Sequence, residues 1–163
     1  MRILHWMIAV LVLVALPFGA VIKFIAEESK TTFYLIHESI GFMILWFMLA
    51  RVVVRLIRHP PPTTEENPLL RTVAAAVHYT LYAALIVQPV LGFLMTNAFG
   101  FPLELFGLFP IPSPIGKDME LAAYLKAAHI FVGYSILALF CLHIGGVLFH
   151  HVIRRDPTLH RML

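Results

Sequence analysis

The amino-acid sequence predicts an all-α integral membrane protein, one bundle of four membrane-spanning helices with both termini in the cytoplasm. The chain is 60% hydrophobic with a mean hydropathy of +0.87, more than a soluble domain of 163 residues carries. It contains four separate apolar segments that are long enough to cross a bilayer. Its lysines and arginines divide unequally between the two ends of those segments. There is room for one membrane domain, residues 1–163.

The first two spans are predicted at residues 5–25 and 33–57. The first lacks a charged region followed by a small-residue cleavage site, so we expect a retained span and not a removed signal peptide. A short polar connection separates the two spans. The second span is predicted to end before the segment RHPPPTTEENP, because three consecutive prolines stop a helix.

The third and fourth spans are predicted at residues 73–97, with Pro89 inside, and 122–152. Residues 98–121 lie between them and are rich in proline, glycine and phenylalanine. That segment is too broken to span a membrane and apolar enough to lie on the bundle or at the interface. We expect it to form a cap that keeps water away from a buried cofactor.

The basic residues predict the orientation. The two termini and the connection between the second and third spans carry the arginines, whereas the opposite side carries the lysines. The positive-inside rule therefore places both termini in the cytoplasm. The cytoplasmic set is Arg2, Arg51, Arg55, Arg58, Arg71, Arg154, Arg155 and Arg161, and the outer set is Lys23, Lys30, Lys117 and Lys126.

Composition also excludes several classes of site. The one cysteine, Cys141, excludes a disulfide framework and argues against an iron–sulfur cluster. The spans hold too few carboxylates for a carboxylate di-metal site. No nucleic-acid-binding motif is present, and the net charge of +3 follows from the membrane topology.

Nine histidines in so apolar a chain are unusual, and two of them lie fourteen residues apart in the fourth span. Fourteen helical steps return to within about 40° of the same face and rise about 21 Å. His129 and His143 therefore place one imidazole near each membrane surface, as two stacked haems would require of their axial ligands. The alternative is a hydrogen-bonding histidine inside the bundle, but a pair at this spacing favours haem.

The remaining histidines sort by depth. His37 matches His129 near the outer end, whereas either His5 or His78 matches His143 near the inner end. Helix arithmetic does not separate those two candidates. We expect the other histidines to face solvent or headgroups: His59, His150, His151 and His160.

Two cations and two glycines accompany the histidines. Arg51 lies fourteen residues after His37, so a haem propionate could satisfy it, unless it extends to the cytoplasmic headgroups. Lys126, one turn before His129, could meet a propionate, an anionic substrate or the outer headgroups. Gly41 and Gly133, four residues after His37 and His129, are predicted to give clearance to a flat cofactor, or to serve close helix packing.

Several segments together resemble one known family. They are LHW in the first span, IHESIG with RVVVR in the second, HYTLY with QPVLG in the third, and LKAAH with LHIGGVLFHH in the fourth. In this order and spacing they are similar to the bacterial cytochrome b561 family, four-helix dihaem b cytochromes that include the superoxide oxidase. One departure is the start of the chain: relatives carry several residues before LHW, so either the first turn is short or the true start lies upstream.

The resemblance implies two haem b groups with axial ligands from the first, second and fourth spans. Carried over, these are His5 and His143 for the inner haem and His37 and His129 for the outer haem. His78 also matches a family histidine, which is expected to lie beside the haem or a quinone site.

The resemblance also implies a function. The chain would carry electrons, as an oxidoreductase of the bacterial inner membrane, from a periplasmic-side donor to ubiquinone. In the superoxide oxidase branch the donor is superoxide. The outer segments hold five carboxylates and four lysines, so a positive mouth for an anion would have to be local. Lys126 beside His129 is the candidate catalytic residue there.

Two other classes of function remain open at this stage. A membrane anchor subunit could connect a separate dehydrogenase or hydrogenase to quinone and would dock that partner protein through an outer loop such as residues 99–115. A metal or proton transporter would place carboxylates beside its intramembrane histidines, and only Glu38 is adjacent to one.

Overall fold

The computed structural model describes residues 2–58, 65, 67–156 and 159. Within them, four helices are long and apolar enough to cross a membrane, which confirms the all-α membrane bundle. The predictions for His59 and His160 lie outside the described residues.

The first two helices are joined by a tight connection. Helix α1 spans Arg2–Val21 and continues as a short 3-10 turn, Ile22–Phe24, and helix α2 spans Glu27–Ile57. Helix α2 begins six residues earlier than predicted, in what was expected to be a polar connection. Glu27 and Glu28 in its first turn stabilise the positive end of the helix dipole, and Lys30 forms an ion pair with Glu27.

Helices α3 and α4 begin at polar caps that also extend them beyond the predicted spans. Helix α3 spans Pro68–Phe99, and the Asn67 side chain accepts from the amides of its first turn. Helix α4 spans Met119–Leu148, where Asp118 plays the same part, and continues as a π-helical turn, Phe149–Arg154. Gly100, with φ of 91°, ends α3 in the left-handed conformation that favours glycine.

A short β-hairpin between α3 and α4 was not predicted. Strands β1, Leu103–Leu105, and β2, Phe109–Ile111, pair antiparallel. Three-residue strands interrupted by proline give no alternating pattern long enough to detect.

The hairpin packs against α2 on the face opposite His37. The Phe106 amide donates to Ser39 Oγ at 2.8 Å, and Gly107 lies beside Leu35. Residues two positions before and after His37 point about 160–200° away from it. These two contacts of the hairpin therefore lie on the face of α2 away from the His37 imidazole, and the cap over a cofactor stays a prediction.

The helices pack in chain order, α1 on α2, α2 on α3 and α3 on α4. The main apolar core lies between α1 and α2: Ile8, Val12, Ala15, Ile40, Ile44 and Met48. Among the described residues, α4 packs extensively only against α3, and its histidine rings contact histidines on other helices. Among the ring contacts of the described residues, those of α4 with α1 and with α2 are both imidazole pairs.

Candidate functional site

His37 of α2 and His129 of α4 form the first imidazole pair, which we call the outer pair after the predicted orientation. Their ring centroids are 6.3 Å apart, with an interplanar angle of 82°. Each ring also contacts a backbone carbonyl: His37 Nδ1 lies 3.0 Å from the Ala15 oxygen, and His129 Nδ1 lies 3.1 Å from the Gln88 oxygen. A carbonyl can only accept, so both Nδ1 atoms donate. In each neutral ring this leaves the Nε2 lone pair available to a metal.

A glycine accompanies each of these carbonyls, four residues further along the same helix. A Cβ on Gly19 would lie 2.8 Å from His37 Cε1, and a Cβ on Gly92 would lie 3.0 Å from His129 Cε1. Any other residue would push the imidazole away from its carbonyl. The two glycines therefore permit the approach of both rings, whereas Gly41, which the sequence suggested, has nothing within 4 Å of its Cβ position.

Gln88 contacts His129 through its side chain as well as its backbone. Its Nε2 lies 3.2 Å from His129 Nε2, and within the described residues its Oε1 is buried without a hydrogen-bond partner. A Cβ on Gly133 would lie 3.2 Å from the same amide nitrogen, so Gly133 makes room for Gln88. The carboxamide therefore occupies the metal-binding side of the ring and would have to move when a metal binds there.

The second pair, the inner pair, joins His5 of α1 to His143 of α4. Their ring centroids are 6.2 Å apart, at an angle of 70°. His78 of α3 also contacts His143, but at 5.2 Å and 74°, and it hydrogen-bonds to the backbone of Ala74. The structure thus brings both sequence candidates to His143, at different distances.

Centroid distances distinguish these contacts chemically. A metal–imidazole bond of about 2.0 Å, with the nitrogen about 1.1 Å from the ring centroid, places two rings on one metal about 6.2 Å apart. Both the outer pair and the inner pair have this spacing, whereas His78 and His143 are about 1 Å too close. In the described part of the chain, no group of three or more His, Cys, Asp or Glu side chains is arranged to hold a metal ion. Two imidazoles per site suit a cofactor that supplies its own equatorial ligands.

Arg51 lies beside the inner pair and is half-buried. Its Nε donates to the Tyr82 hydroxyl at 2.7 Å, and its guanidinium lies near both His5 and His143. Arg55 stacks on the same tyrosine ring at 5.3 Å. The Arg51 side chain is therefore held against Tyr82 of α3. Tyr82 was missed in the sequence, because nothing in the spacing of α3 marks it as a partner of α2.

Lys126 is exposed on α4, one helical turn before His129. Within the described residues it makes no ion pair, unlike Lys30 on Glu27, and Lys23 lies over the Phe24 ring. Its charge is free to act on an approaching anion.

Two further polar contacts lie outside the histidine pairs. His150 Nδ1 lies 2.6 Å from Asp156 Oδ2, and its Nε2 lies 3.8 Å from Glu65, which also pairs with Arg154. The expectation that His150 faces solvent or headgroups is therefore wrong, because it joins the end of α4 to the loop before α3. His151 is exposed.

The whole chain, residues 1–163, matches the family model of prokaryotic cytochrome b561. The chain belongs to this family. Cytochrome b561 homolog 2 of Escherichia coli (strain K12) is 34% identical over 129 residues, which cover 78% of this chain and 69% of the relative. The probable superoxide oxidase CybB of Yersinia pestis is 28% identical over 162 residues, 98% of this chain and 91% of that protein. Cytochrome b561 homolog 1 of the same E. coli strain is 27% identical over 168 residues, which cover 98% of this chain and 92% of that protein.

Membership of the cytochrome b561 family makes the chain a bacterial membrane protein of electron transfer that binds haem b. Haem supplies four equatorial nitrogens and leaves two axial positions, which histidines commonly fill. The donor set and spacing of both imidazole pairs fit that requirement.

Proposed function

We propose that this cytochrome b561 protein holds two haem b groups and carries electrons from superoxide, on the periplasmic side of the inner membrane, to ubiquinone in the bilayer. The observation that carries this proposal is the pair of centroid distances, 6.3 Å for the outer pair and 6.2 Å for the inner pair. Because His129 and His143 lie fourteen residues apart on α4, the two sites are stacked about 21 Å apart along the bundle.

The axial ligands in this proposal are His37 and His129 at the outer site and His5 and His143 at the inner site. The short contact of His78 with His143 supports a place beside the inner haem and not on its iron. Each bound haem supplies a centre that accepts and releases one electron. Two histidines would hold each haem, so exchange of electrons with donor and acceptor would not require a substrate bound to the metal.

Arg51 and Lys126 have separate parts. Arg51, fixed by Tyr82, would bind an inner haem propionate through its remaining guanidinium N–H groups. Lys126 would draw superoxide towards the outer haem edge. Two superoxide anions each give up one electron and leave as dioxygen, and one ubiquinone takes up both electrons with two protons.

The similarity to a probable superoxide oxidase supports the choice of superoxide, as does the unpaired charge of Lys126 within the described residues. The placement of both termini in the cytoplasm rests on the eight arginines of the termini and of the second connection and its flanking helices.

A second candidate is an anchor subunit that passes electrons from a partner oxidoreductase to quinone. The tip of the β-hairpin favours it, because three apolar side chains there are exposed: Phe106 by 46%, Leu108 by 72% and Phe109 by 62%. Such a tip suits either lipid or a partner protein.

The decisive experiment uses the purified protein in detergent or nanodiscs. We expect two haems per chain, with low-spin b-type spectra, and rapid reduction by pulses of superoxide in stopped flow. Ubiquinone should then reoxidise the haems. A protein that carries two haems but is not reduced by superoxide would exclude the donor and leave the anchor subunit. A protein without two haems would refute the sites themselves.

A further inference from the structure

The four proposed axial histidines have unequal surroundings. In the outer pair, both rings donate Nδ1–H to a backbone carbonyl, at 3.0 and 3.1 Å. In the inner pair, neither His5 nor His143 makes a side-chain hydrogen bond to any described residue, and both rings make aromatic contacts, with Trp6, His78 and each other. Within the described chain, the outer pair is thus hydrogen-bonded to backbone carbonyls, whereas the inner pair is not.

A hydrogen bond to a carbonyl acts on the metal through the ring. Partial transfer of the Nδ1 proton towards oxygen makes Nε2 a stronger donor to a metal. A stronger donor favours the ferric over the ferrous ion, because the ferric ion carries more charge. Two such ligands therefore lower the reduction potential of the outer site.

Charge acts in the opposite direction at the inner site. The hydrogen bond of Arg51 to the Tyr82 hydroxyl, at 2.7 Å, fixes its guanidinium near both His5 and His143. A fixed cation in a low-dielectric environment disfavours the additional positive charge of a ferric centre. Arg51 therefore raises the reduction potential of the inner site.

We propose that Gly19, Gly92 and Arg51 are positioning residues that set the outer haem to a lower midpoint potential than the inner haem. The two glycines act by exposing the carbonyls of Ala15 and Gln88 to the outer imidazoles, since a Cβ would come within 2.8 and 3.0 Å of the rings. Electrons that enter at the outer site then run downhill to the inner site, which directs transfer inwards. This proposal rests on the two haem sites of the proposed function.

The first test compares the two sites separately. The variant His5→Ala should retain only the outer haem, and His37→Ala only the inner haem. Spectroelectrochemical titration of each should give a lower midpoint for His5→Ala than for His37→Ala. Equal midpoints or the reverse order, with haem bound in both, would overturn the inferred direction while leaving the dihaem function intact. Absence of haem from the wild-type protein would instead refute the proposed function.

The second test isolates the carbonyl bond, with Gly92→Ala placed in the His5→Ala background. We expect its outer haem to titrate at a higher midpoint and to show altered low-spin electron paramagnetic resonance g-values. Gly116→Ala is the matched control, because its Cβ meets nothing within 4 Å. An unchanged midpoint with haem retained would refute the role of Gly92. If Gly92→Ala releases haem, the proposal is tested by the order of the midpoints of His5→Ala and His37→Ala alone.

The third test removes the cation from the inner site. In the His37→Ala background, Arg51→Gln should lower the inner midpoint, and Arg51→Lys should restore most of the difference. A role limited to packing predicts that both substitutions act alike. That result would remove Arg51 from the proposal.

Discussion

Substitution of Gly19 by alanine should weaken the outer haem site by a predictable amount. The new Cβ would lie 2.8 Å from His37 Cε1, and ordinary contact begins near 3.4 Å, so the ring must retreat by about 0.6 Å. Retreat in that direction would lengthen the 3.0 Å contact between Nδ1 and Ala15 to about 3.6 Å, at which a hydrogen bond is lost. Overpacking costs about 1–3 kcal/mol and the lost bond about 0.5–1.5 kcal/mol. Together these costs, about 1.5–4.5 kcal/mol, weaken haem binding roughly 10- to 2000-fold.

Other glycines provide a graded series. Gly92→Ala needs a smaller retreat of His129, about 0.4 Å, so its effect should be milder. Gly133→Ala meets the Gln88 amide at 3.2 Å, which is the end of a side chain that can rotate away. Gly116→Ala, with no neighbour within 4 Å, serves as the control.

The assay is transfer of haem from each purified variant to excess apomyoglobin, followed by absorbance. We expect two kinetic phases, of which only the outer-haem phase accelerates, in the order Gly19→Ala, Gly92→Ala, then Gly133→Ala close to the control. Retention of the outer haem by Gly19→Ala as tightly as by the control would show that the close approach of Gly19 does not hold His37. Equal acceleration of both phases would point to general destabilisation.

Three further predictions concern the pairs and the outer mouth. His37→Ala and His129→Ala should each remove the same haem, because the two rings share one site, and each variant should keep about half of its haem absorbance. If the two variants lose spectrally different haems, the pairing is wrong. His5→Ala should abolish the inner low-spin signal, whereas His78→Ala should keep two haems with a shifted potential, and haem analysis that finds a haem missing only in the His78 variant would reverse that choice. Lys126→Glu should slow reduction by superoxide several-fold, with both haem spectra intact. Wild-type reduction rates should fall as salt is raised, because the Debye length shrinks to about 10 Å at 0.1 M. Stopped-flow rates that change with neither the substitution nor salt would exclude electrostatic capture at Lys126.

The sequence was sufficient for the four membrane-length helices, whereas the orientation taken from arginine and lysine stays a prediction. Apolar segments of membrane length and the imbalance of arginine and lysine are properties of single segments, and periodicity alone places His129 and His143 on one face of α4. The choice between His5 and His78 depends on packing between helices and not on the sequence of one helix. It depends on how α1 and α3 approach α4, a matter of about 1 Å in the distance between rings, and helix arithmetic cannot resolve it.

The remaining differences arise where polar groups compete with the apolar pattern. The first turns of α2 are polar, so hydropathy places the start of the span too late, although Glu27 and Glu28 favour a helix there. The partners of His150 are a carboxylate in the loop before α3 and another after α4. Neither lies at a helical spacing from the ring, so no sequence pattern links them.

The glycines show why the residues that make room for the histidine rings are hard to predict from the sequence of a single helix. The sequence predicts clearance at Gly41 and Gly133 because each lies one turn from a histidine on its own helix, but a neighbouring ring approaches from another helix. The relevant glycine is therefore on the partner: Gly19 on α1 for His37 of α2, and Gly92 on α3 for His129 of α4. In both cases the accepting carbonyl lies four residues earlier, where the absent side chain would otherwise shield it. Glycine in these two helices thus serves the histidine by exposing an acceptor, and the pattern to seek is a glycine four residues after a carbonyl that faces a histidine-bearing helix.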